Sequence, residues 1–307
     1  MEYTIVGIDV SKASLDVCFL PTREAMTFTN DTRGFEQLYE LLQYNPEVKV
    51  FMESTGCYHK PLEDFLSMHG CSVLVVNPLR IRSFGKAFGQ LAKSDRLDAE
   101  IIAQFGQAIG SKETPIPAQT HQKLQSFSRR REQLVRLLSM EKNHAEKAKF
   151  CQEDDILECL QAMVKDIEKH LQKIEQQIAN LIHSDNVLQR LCNRLMAVAG
   201  IGRVTAVTLI AELPELGLIG KRQVAALAGL APMNNDSGAM RGQRHIKGGR
   251  QSVRRVLYMA IVSAIKHNHV IKAYYQRLRE AGKPAKWAMT ACMRKMLLHL
   301  NSIAAAI

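Results

Sequence analysis

Tyr3-Thr4-Ile5-Val6-Gly7-Ile8-Asp9-Val10-Ser11-Lys12 is an apolar, strand-forming run that ends on an acid. Ile5, Val6 and Ile8 favour a pleated, buried surface, and a buried strand reads as a near-continuous hydrophobic run bounded by a turn. Asp9 interrupts that run. A carboxylate carried into apolar surroundings is costly unless a cation or hydrogen bonds compensate. Asp9 therefore either caps a local turn before Ser11 or holds a metal at a strand end.

Working outward, Ser14 to Leu20 alternates loosely and Glu24 to Thr29 follows as a third strand, with Ser11-Lys12-Ala13 as the first hairpin connection. Asn30-Asp31-Thr32 offers N-caps for a helix from about Arg33 to Gln43, whose Phe35, Leu38, Leu41 and Leu42 have helical spacing. Val48 to Glu53 is a fourth strand that again ends on an acid. Ser54-Thr55-Gly56 leads into a helix of about Tyr58 to His69, closed by Gly70. Cys71 to Val76 is a fifth strand, stopped by Asn77-Pro78. Three β elements followed by α, β, α, β specify a mixed sheet flanked by helices, and sites gather where neighbouring strands of such a sheet end. Asp9 and Glu53 each end one. Leu79 to Lys93 is mixed in character. Ser94 then N-caps a helix that carries Asp95 and Asp98 three apart on one face. Acids at a helix start also simply complement its dipole, an explanation that suits one acid better than two on one face.

From Leu124 to Leu181 there is no Pro or Gly. Ile156, Leu160, Met163, Ile167, Leu171, Ile174, Ile178 and Leu181 step at close to heptad spacing, while Leu124, Phe127, Leu134 and Leu138 belong to an earlier helix. Cys151 to Asp155 is the turn between the two. The seam is either internal to a two-helix hairpin or shared between chains. Beyond Leu191, Gly200-Ile201-Gly202 lies between two helical patterns and reads as a helix-hairpin-helix, in which Gly200 and Gly202 let backbone approach a phosphate and Arg203 opens the second helix. A polar loop from Met233 to Gly242 follows. Arg241, Arg244, Lys247, Arg250, Arg254 and Arg255 are then six basic residues with no intervening acid, and Ser252 is placed to cap the next helix. One-signed charge of this kind suits phosphate.

The charge distribution agrees. Of the net +11, residues 1–118 contribute −4, residues 119–190 contribute +1 and residues 191–307 contribute +14. A basic C-terminal third beside an acidic N-terminal third implies polyanion binding at one end and cation binding at the other. Hydrophobic content of 46% and charged content of 23% are those of a soluble globular protein. No apolar run approaches the length of a membrane span, and neither a span nor a secretion signal is expected. The seven cysteines are scattered and odd in number, with no CxxC pair, which argues against a disulfide framework or structural zinc and fits a cytoplasmic protein.

Asp9, Glu53, Asp95 and Asp98 are candidates for one cluster. Packed together without a cation they repel and cannot all ionise. Two Mg²⁺ ions about 4 Å apart remove that difficulty and polarise a phosphodiester. Ser237-Gly238, read on its own, is a common turn.

The motifs Gly7-Ile8-Asp9, Met52-Glu53-Ser54-Thr55-Gly56, Asn77-Pro78 and Asp95-Arg96-Leu97-Asp98-Ala99, followed by Gly200-Ile201-Gly202, Gly229-Leu230-Ala231-Pro232 and Ser237-Gly238, resemble the DEDD transposases, the insertion-sequence family one-hundred-and-ten that includes the Piv-type DNA invertases. The resemblance covers nearly the whole chain. It implies α/β plus α architecture: a RuvC-like (ribonuclease-H-type) mixed-sheet domain over 1–118, a coiled-coil connector over 119–188 and a mainly helical transposase domain over 189–307. It further implies that Asp9, Glu53, Asp95 and Asp98 bind the metal, that Ser237 forms a covalent phosphoserine link to DNA, and that donor and target duplexes are recombined by a homodimer pairing into a tetramer at synapsis. Many members are directed by a structured bridge RNA. The setting so implied is bacterial and nucleoid-associated.

Three functions compete. A recombinase uses Ser237 covalently. A resolvase-type nuclease cuts with the acids alone, and His245 is at best a weak base for the serine. A scaffold binds nucleic acid without chemistry and leaves four acids unexplained. For the first, the Ser237 loop must reach the Asp9 cluster, and their separation of 228 positions, with a long helical connector, favours supply from a partner chain.

Overall fold

The computed structural model describes residues 4–45, 47–54, 56–89, 95–109, 119–234, 236–237, 240–242 and 244–306, with backbone alone at Asp95, Arg96, Asp236, Ser237, Met240 and Arg241. The chain divides into two compact units, Met1–Ile116 and Pro117–Ile307.

In the first unit β1 (Ile5–Val10), β2 (Ser14–Leu20), β3 (Glu24–Thr29), β4 (Lys49–Glu53) and β5 (Ser72–Val76) form one sheet in the order β3-β2-β1-β4-β5. The β1–β2 and β2–β3 pairs are antiparallel, while β1–β4 and β4–β5 are parallel. The mixed sheet read from the sequence is present. Alternation sorts its faces. Val6, Ile8 and Val10 bury into a core shared with Phe35, Leu38 and Leu42 of α1 (Thr32–Leu42) and with Leu62 and Leu66 of α2 (Lys60–Met68). Ile5 and Gly7 look the other way. That face is covered by α3 (Pro78–Ala87) and α4 (Asp95–Ile109) through Ile81, Ile101, Ile102 and Phe105.

Local chemistry sets the boundaries. Asp31 is the N-cap of α1: its carboxylate accepts from the Gly34 N–H at 2.9 Å and from the Thr29 hydroxyl at 2.8 Å. Gly70, at φ +81°, follows α2 in the left-handed conformation expected of a closing glycine. The segment from Leu79 onward, which reads as mixed, is helical as far as Ala87. Pro78 ends β5 and also occupies the first turn of α3, and Asn77 caps that helix by accepting from the Leu79 N–H at 2.8 Å.

The second unit opens with α5 (Gln119–Cys151) and α6 (Asp154–Ser184), an antiparallel pair of about 45–50 Å at 1.5 Å per residue. Arg131–Glu175 and Lys142–Glu168, each 2.8 Å, cross between them. Their base is stitched into the helical body formed by α7 (Asn186–Met196), α8 (Arg203–Glu212), α9 (Lys221–Leu227), α10 (Gln251–His267), α11 (His269–Glu280) and α12 (Ala285–Ala304). Leu124, Ile178 and Ile182 share one core with Leu195, Leu209, Leu257 and Leu297. The seam loosens toward the other end, where Ile156 is 51% and Met163 48% exposed. Among the described residues no helix is long and apolar enough to cross a membrane.

Candidate active site

β1 and β4 run in parallel register from Ile5–Lys49 to Ile8–Met52, so Asp9 and Glu53 are the next residues on adjoining strands. There the strands part company. Asp9 remains paired with Asp16 of β2, and Glu53 with Val76 of β5. A crevice at strand carboxyl ends, where the neighbours diverge, is the usual position of a site in such a sheet.

The helix carrying the other two acids is seated by a glycine. A Cβ on Gly7 would lie 2.3 Å from both the Ala99 carbonyl oxygen and the Ala103 nitrogen. Only a residue without a side chain lets the α4 backbone rest on β1 there. Ala99 and Ala103 are fully covered, packing with Cys18 and Leu20 of β2. Glu100 reaches toward Arg23 at 3.6 Å, near the Leu20 end of β2. Asp98 lies two residues back, roughly 200° around a helix of 3.6 residues per turn, and so leaves α4 on the side away from Glu100. Asp95 is three residues earlier on the Asp98 face; its side chain lies outside the described residues, as does Ser94, the expected cap. Asp9, Glu53 and Asp98 are partly buried and each has an interaction partner. Among the described residues no set of three His, Cys, Asp or Glu side chains is already gathered as a metal cage. The donor chemistry of the four positions, carboxylate oxygen throughout, is that of a site for a hard divalent cation. Cys18, beneath α4, is a core thiol: burial, and secondarily the charge of Glu100, pushes it up to about 11 against the pull of Arg23.

The second set of expected residues lies in the second unit. Gly200, at φ +99°, follows α7 at a close approach to α10, where a Cβ would come within 2.6 Å of the Ala264 Cβ. Gly202 is the N-cap of α8, with open space where its side chain would be. The first N–H groups of α8 thus face outward beside the exposed Arg203.

The loop containing Ser237 has more structure than its composition suggests. Pro232 and Met233 of β6 (Pro232–Met233) pair with Ile246 and His245 of β9 (His245–Ile246). Above that stem β7 (Asp236–Ser237) pairs with β8 (Met240–Arg241), setting Ser237 opposite Met240. The Ser237 and Arg241 side chains lie outside the described residues, and His245 is exposed on the stem. The stem is pinned at its root. Gly229 (φ +67°) and Gly249 (φ +70°) touch backbone to backbone; a Cβ on Gly249 would lie 2.1 Å from the Gly229 nitrogen.

The six basic residues divide by partner. Arg244 and Lys247 are exposed. Arg250, the N-cap of α10 in place of the expected Ser252, is bound by Glu215. Arg254 donates to the carbonyls of Ala228, at 3.2 Å, and Gly248. Arg255 pairs with Glu132 of α5. Burial works to raise the Glu215 carboxyl, but hydrogen bonds from Arg250 and its own backbone, with the charges of Arg250 and His121, outweigh it and hold the group below its ordinary value. Glu215 escaped the sequence reading. The available signal was scarcity: residues 191–307 contain only four acids among eighteen Lys and Arg, so each acid has many cations competing for it.

Residues 6–148 match the family model of the IS110 DEDD type, described as Transposase. Residues 192–276 match a second, described as Transposase IS116/IS110/IS902 family. This chain belongs to the IS110 family of transposases. The first match spans the positions of all four acids and the second those of the two glycines, Ser237 and the basic stretch. The chain is also similar to two proteins named Pilin gene-inverting protein, from Moraxella bovis and Moraxella lacunata. Each is 29% identical over 315 residues, covering 97% of this chain and 94% of the relative. As an IS110-family member the chain is a DNA-processing enzyme. Neither family model covers residues 149–191, an interval that holds all of α6.

Proposed function

We propose that this transposase cuts and rejoins double-stranded DNA through a serine–DNA intermediate, with Asp9, Glu53, Asp95 and Asp98 holding Mg²⁺. The observation that carries the reading is the divergence of β1 and β4 just past Ile8–Met52, with α4 seated on Gly7 above it. Two acids end adjoining strands of the sheet on which the helix bearing the i, i+3 pair rests; this supports the four-acid reading, and the strand order supports a RuvC-like fold. Bound there, Mg²⁺ would neutralise the crowded carboxylates, polarise the scissile phosphate and lower the pKa of an attacking hydroxyl.

The Ser237 hydroxyl attacks phosphorus, its proton is lost, and the displaced strand end leaves as a hydroxyl. Rejoining is the same exchange run with a new strand end. A serine hydroxyl needs activation and an approach shielded from phosphate repulsion. Arg244 and Lys247, exposed on either side of β9, would supply the shielding. Arg203 and the α8 N-terminus, in a helix-hairpin-helix reading, hold the duplex backbone. A structured guide RNA, as a further ligand of the basic surface, and a dimer through the α5–α6 hairpin pairing to a tetramer complete the proposal.

A second reading, site-specific inversion, is supported by the name shared by both Moraxella relatives. It uses the same chemistry on two sites in one molecule. The test is a denaturing gel of protein incubated with duplex DNA and Mg²⁺. Wild type is expected to give a covalent adduct, and Ser237→Ala and Asp9→Asn none. Adduct from Ser237→Ala would remove the serine from the mechanism. Cleavage by wild type with no adduct would return the nuclease reading.

A further inference from the structure

Asn30 lies between β3 and α1, next to the Asp31 that caps α1. Its own side chain does something else. The Nδ2 amide donates to the Ser11 carbonyl at 2.7 Å and to the Tyr58 carbonyl at 3.2 Å, and its backbone N–H donates to the Ala13 carbonyl at 3.0 Å. Ser11 stands two residues beyond Asp9, and Tyr58 five beyond Glu53. One primary amide therefore ties together the two chain segments that leave the strand ends.

The tie falls where the sheet provides none. Past Ile8–Met52 β1 follows β2 and β4 follows β5; the Ser54 N–H, for example, bonds to the Val76 carbonyl at 3.0 Å. The ladder between β1 and β4 has ended, and beyond it the Asn30 amide spans the gap. On the β1 side the span is stiff. The Ser11 hydroxyl is bonded with the Ser14 carbonyl and with the N–H groups of Ala13 and Ser14, and the Ser11 N–H bonds to the Ser14 carbonyl at 2.9 Å. The polarity of the tie is also fixed. Both partners are carbonyl oxygens, so only a donor-bearing group serves, and an amide supplies two N–H donors from one nitrogen. Asn30 Oδ1 is buried without a hydrogen-bond partner among the described residues, so the side chain is held for its donors.

We infer that Asn30 is a positioning residue that sets the distance between Asp9 and Glu53 by bridging the Ser11 and Tyr58 backbones. The inference rests on the reading of these acids as metal ligands. Groups that orient metal ligands without touching the ion typically change affinity or activity 10- to 100-fold when lost. Asn30→Asp is the decisive variant: it keeps the shape and replaces both donors by acceptors facing carbonyls. Asn30→Ser, smaller and retaining one donor, carries the test if the aspartate variant melts early.

The experiment uses the full-length protein, with Mn²⁺ as the probe ion followed by calorimetry and electron paramagnetic resonance, beside amide hydrogen exchange without metal. Wild type is expected to bind Mn²⁺ and Asp9→Asn to lose it. Asn30→Asp is expected to weaken Mn²⁺ binding about 10-fold or more, and to speed exchange in peptides covering Val10–Ser14 and Gly56–His59 but not in α6. Mn²⁺ affinity of both Asn30 variants within twofold of wild type, with Asp9→Asn still defective, would overturn this inference alone. Unchanged exchange in both peptides would overturn it equally. A wild type that takes up no Mn²⁺, or an Asp9→Asn variant that binds as well as wild type, would overturn the metal reading and this inference with it.

Discussion

Glu215 grips Arg250 with both carboxylate oxygens, Nη1 to Oε2 at 2.5 Å and Nη2 to Oε1 at 2.6 Å. The pair joins the segment after α8 to the N-cap residue of α10, where the Ser237 loop ends, and the Arg250 N–H adds a bond to the Leu227 carbonyl at 2.8 Å. Both side chains are partly exposed, so the loss on breaking the pair should fall below that of a fully buried one: about 1–3 kcal/mol. Glu215→Gln and Arg250→Lys are each expected to show it in urea denaturation, since a lysine cannot supply the two-pronged contact. A stability within about 0.5 kcal/mol of wild type would mark the pair as energetically idle.

Asp98→Asn is expected to abolish strand cleavage without loss of fold. On the proposed four-acid reading, removing one charge relieves repulsion in the metal-free protein. Its melting temperature should therefore stay the same or rise slightly, with DNA affinity retained. Full cleavage by this variant in Mg²⁺ would sink the four-acid cluster.

The basic residues should separate into two behaviours. Arg203→Gln and Lys247→Gln, at exposed positions, should each lower the slope of log affinity against log salt by about one and leave melting unchanged. Arg254→Gln should lower the melting temperature, because its guanidinium holds the Ala228 and Gly248 carbonyls. A changed salt slope with unchanged melting for Arg254→Gln would reassign that residue to phosphate.

The α5–α6 hairpin gives a graded expectation. Ile156→Glu with Met163→Glu, at its exposed end, should halve the mass measured by light scattering if the protein dimerises there, with little change in melting. Ile178→Glu, at the buried base, should instead destabilise the second unit by several kcal/mol, because it buries a charge without a partner. A double variant that keeps its mass but melts early would place the whole seam inside one chain.

A pH dependence follows from His121. Burial at the base of α5 holds its imidazole below the ordinary 6.5, against the opposing pull of the Ala211 and Ile210 backbone and the charges of Glu215 and Glu212. The stability this contributes is complete above 6.5 and is lost as pH falls through the folded value, because the unfolded chain then binds the proton the folded chain resists. The depressed Glu215 carboxyl acts with the same sign at lower pH, below its ordinary 4.5. Thermal melting of the second unit should fall between pH 7.5 and 5.5, and His121→Gln should flatten that fall.

Strand periodicity made the first sheet legible, because Val6, Ile8 and Val10 alternate with Ile5, Gly7 and Asp9 and each set meets a different layer. Helical spacing likewise gave α1 and the α5–α6 hairpin with its turn. What escaped were features with two uses or with distant partners. Pro78 reads as a stop and also starts α3. Asn30 reads as a possible cap, yet Asp31 takes that role and leaves Asn30 to bridge two loops. Ser252 reads as the cap of α10, but Arg250 occupies that position because Glu215, 35 residues away, holds it. The short ladders around Ser237 are two residues long, below the length at which alternation carries any signal.

The contact between Gly229 and Gly249 makes the chain leave the helical body and rejoin it at one point. The nineteen residues between them form a cassette, closed at its neck before any of its own residues are specified. Leu230 at one end still packs in the helical core and the Gly248 carbonyl at the other is held by Arg254, so it is the length of the stretch between these two that can change without shifting α9 or α10. Descendants of this sequence can vary the hairpin around Ser237 by insertion or deletion, so long as the two glycines at the neck are inherited together.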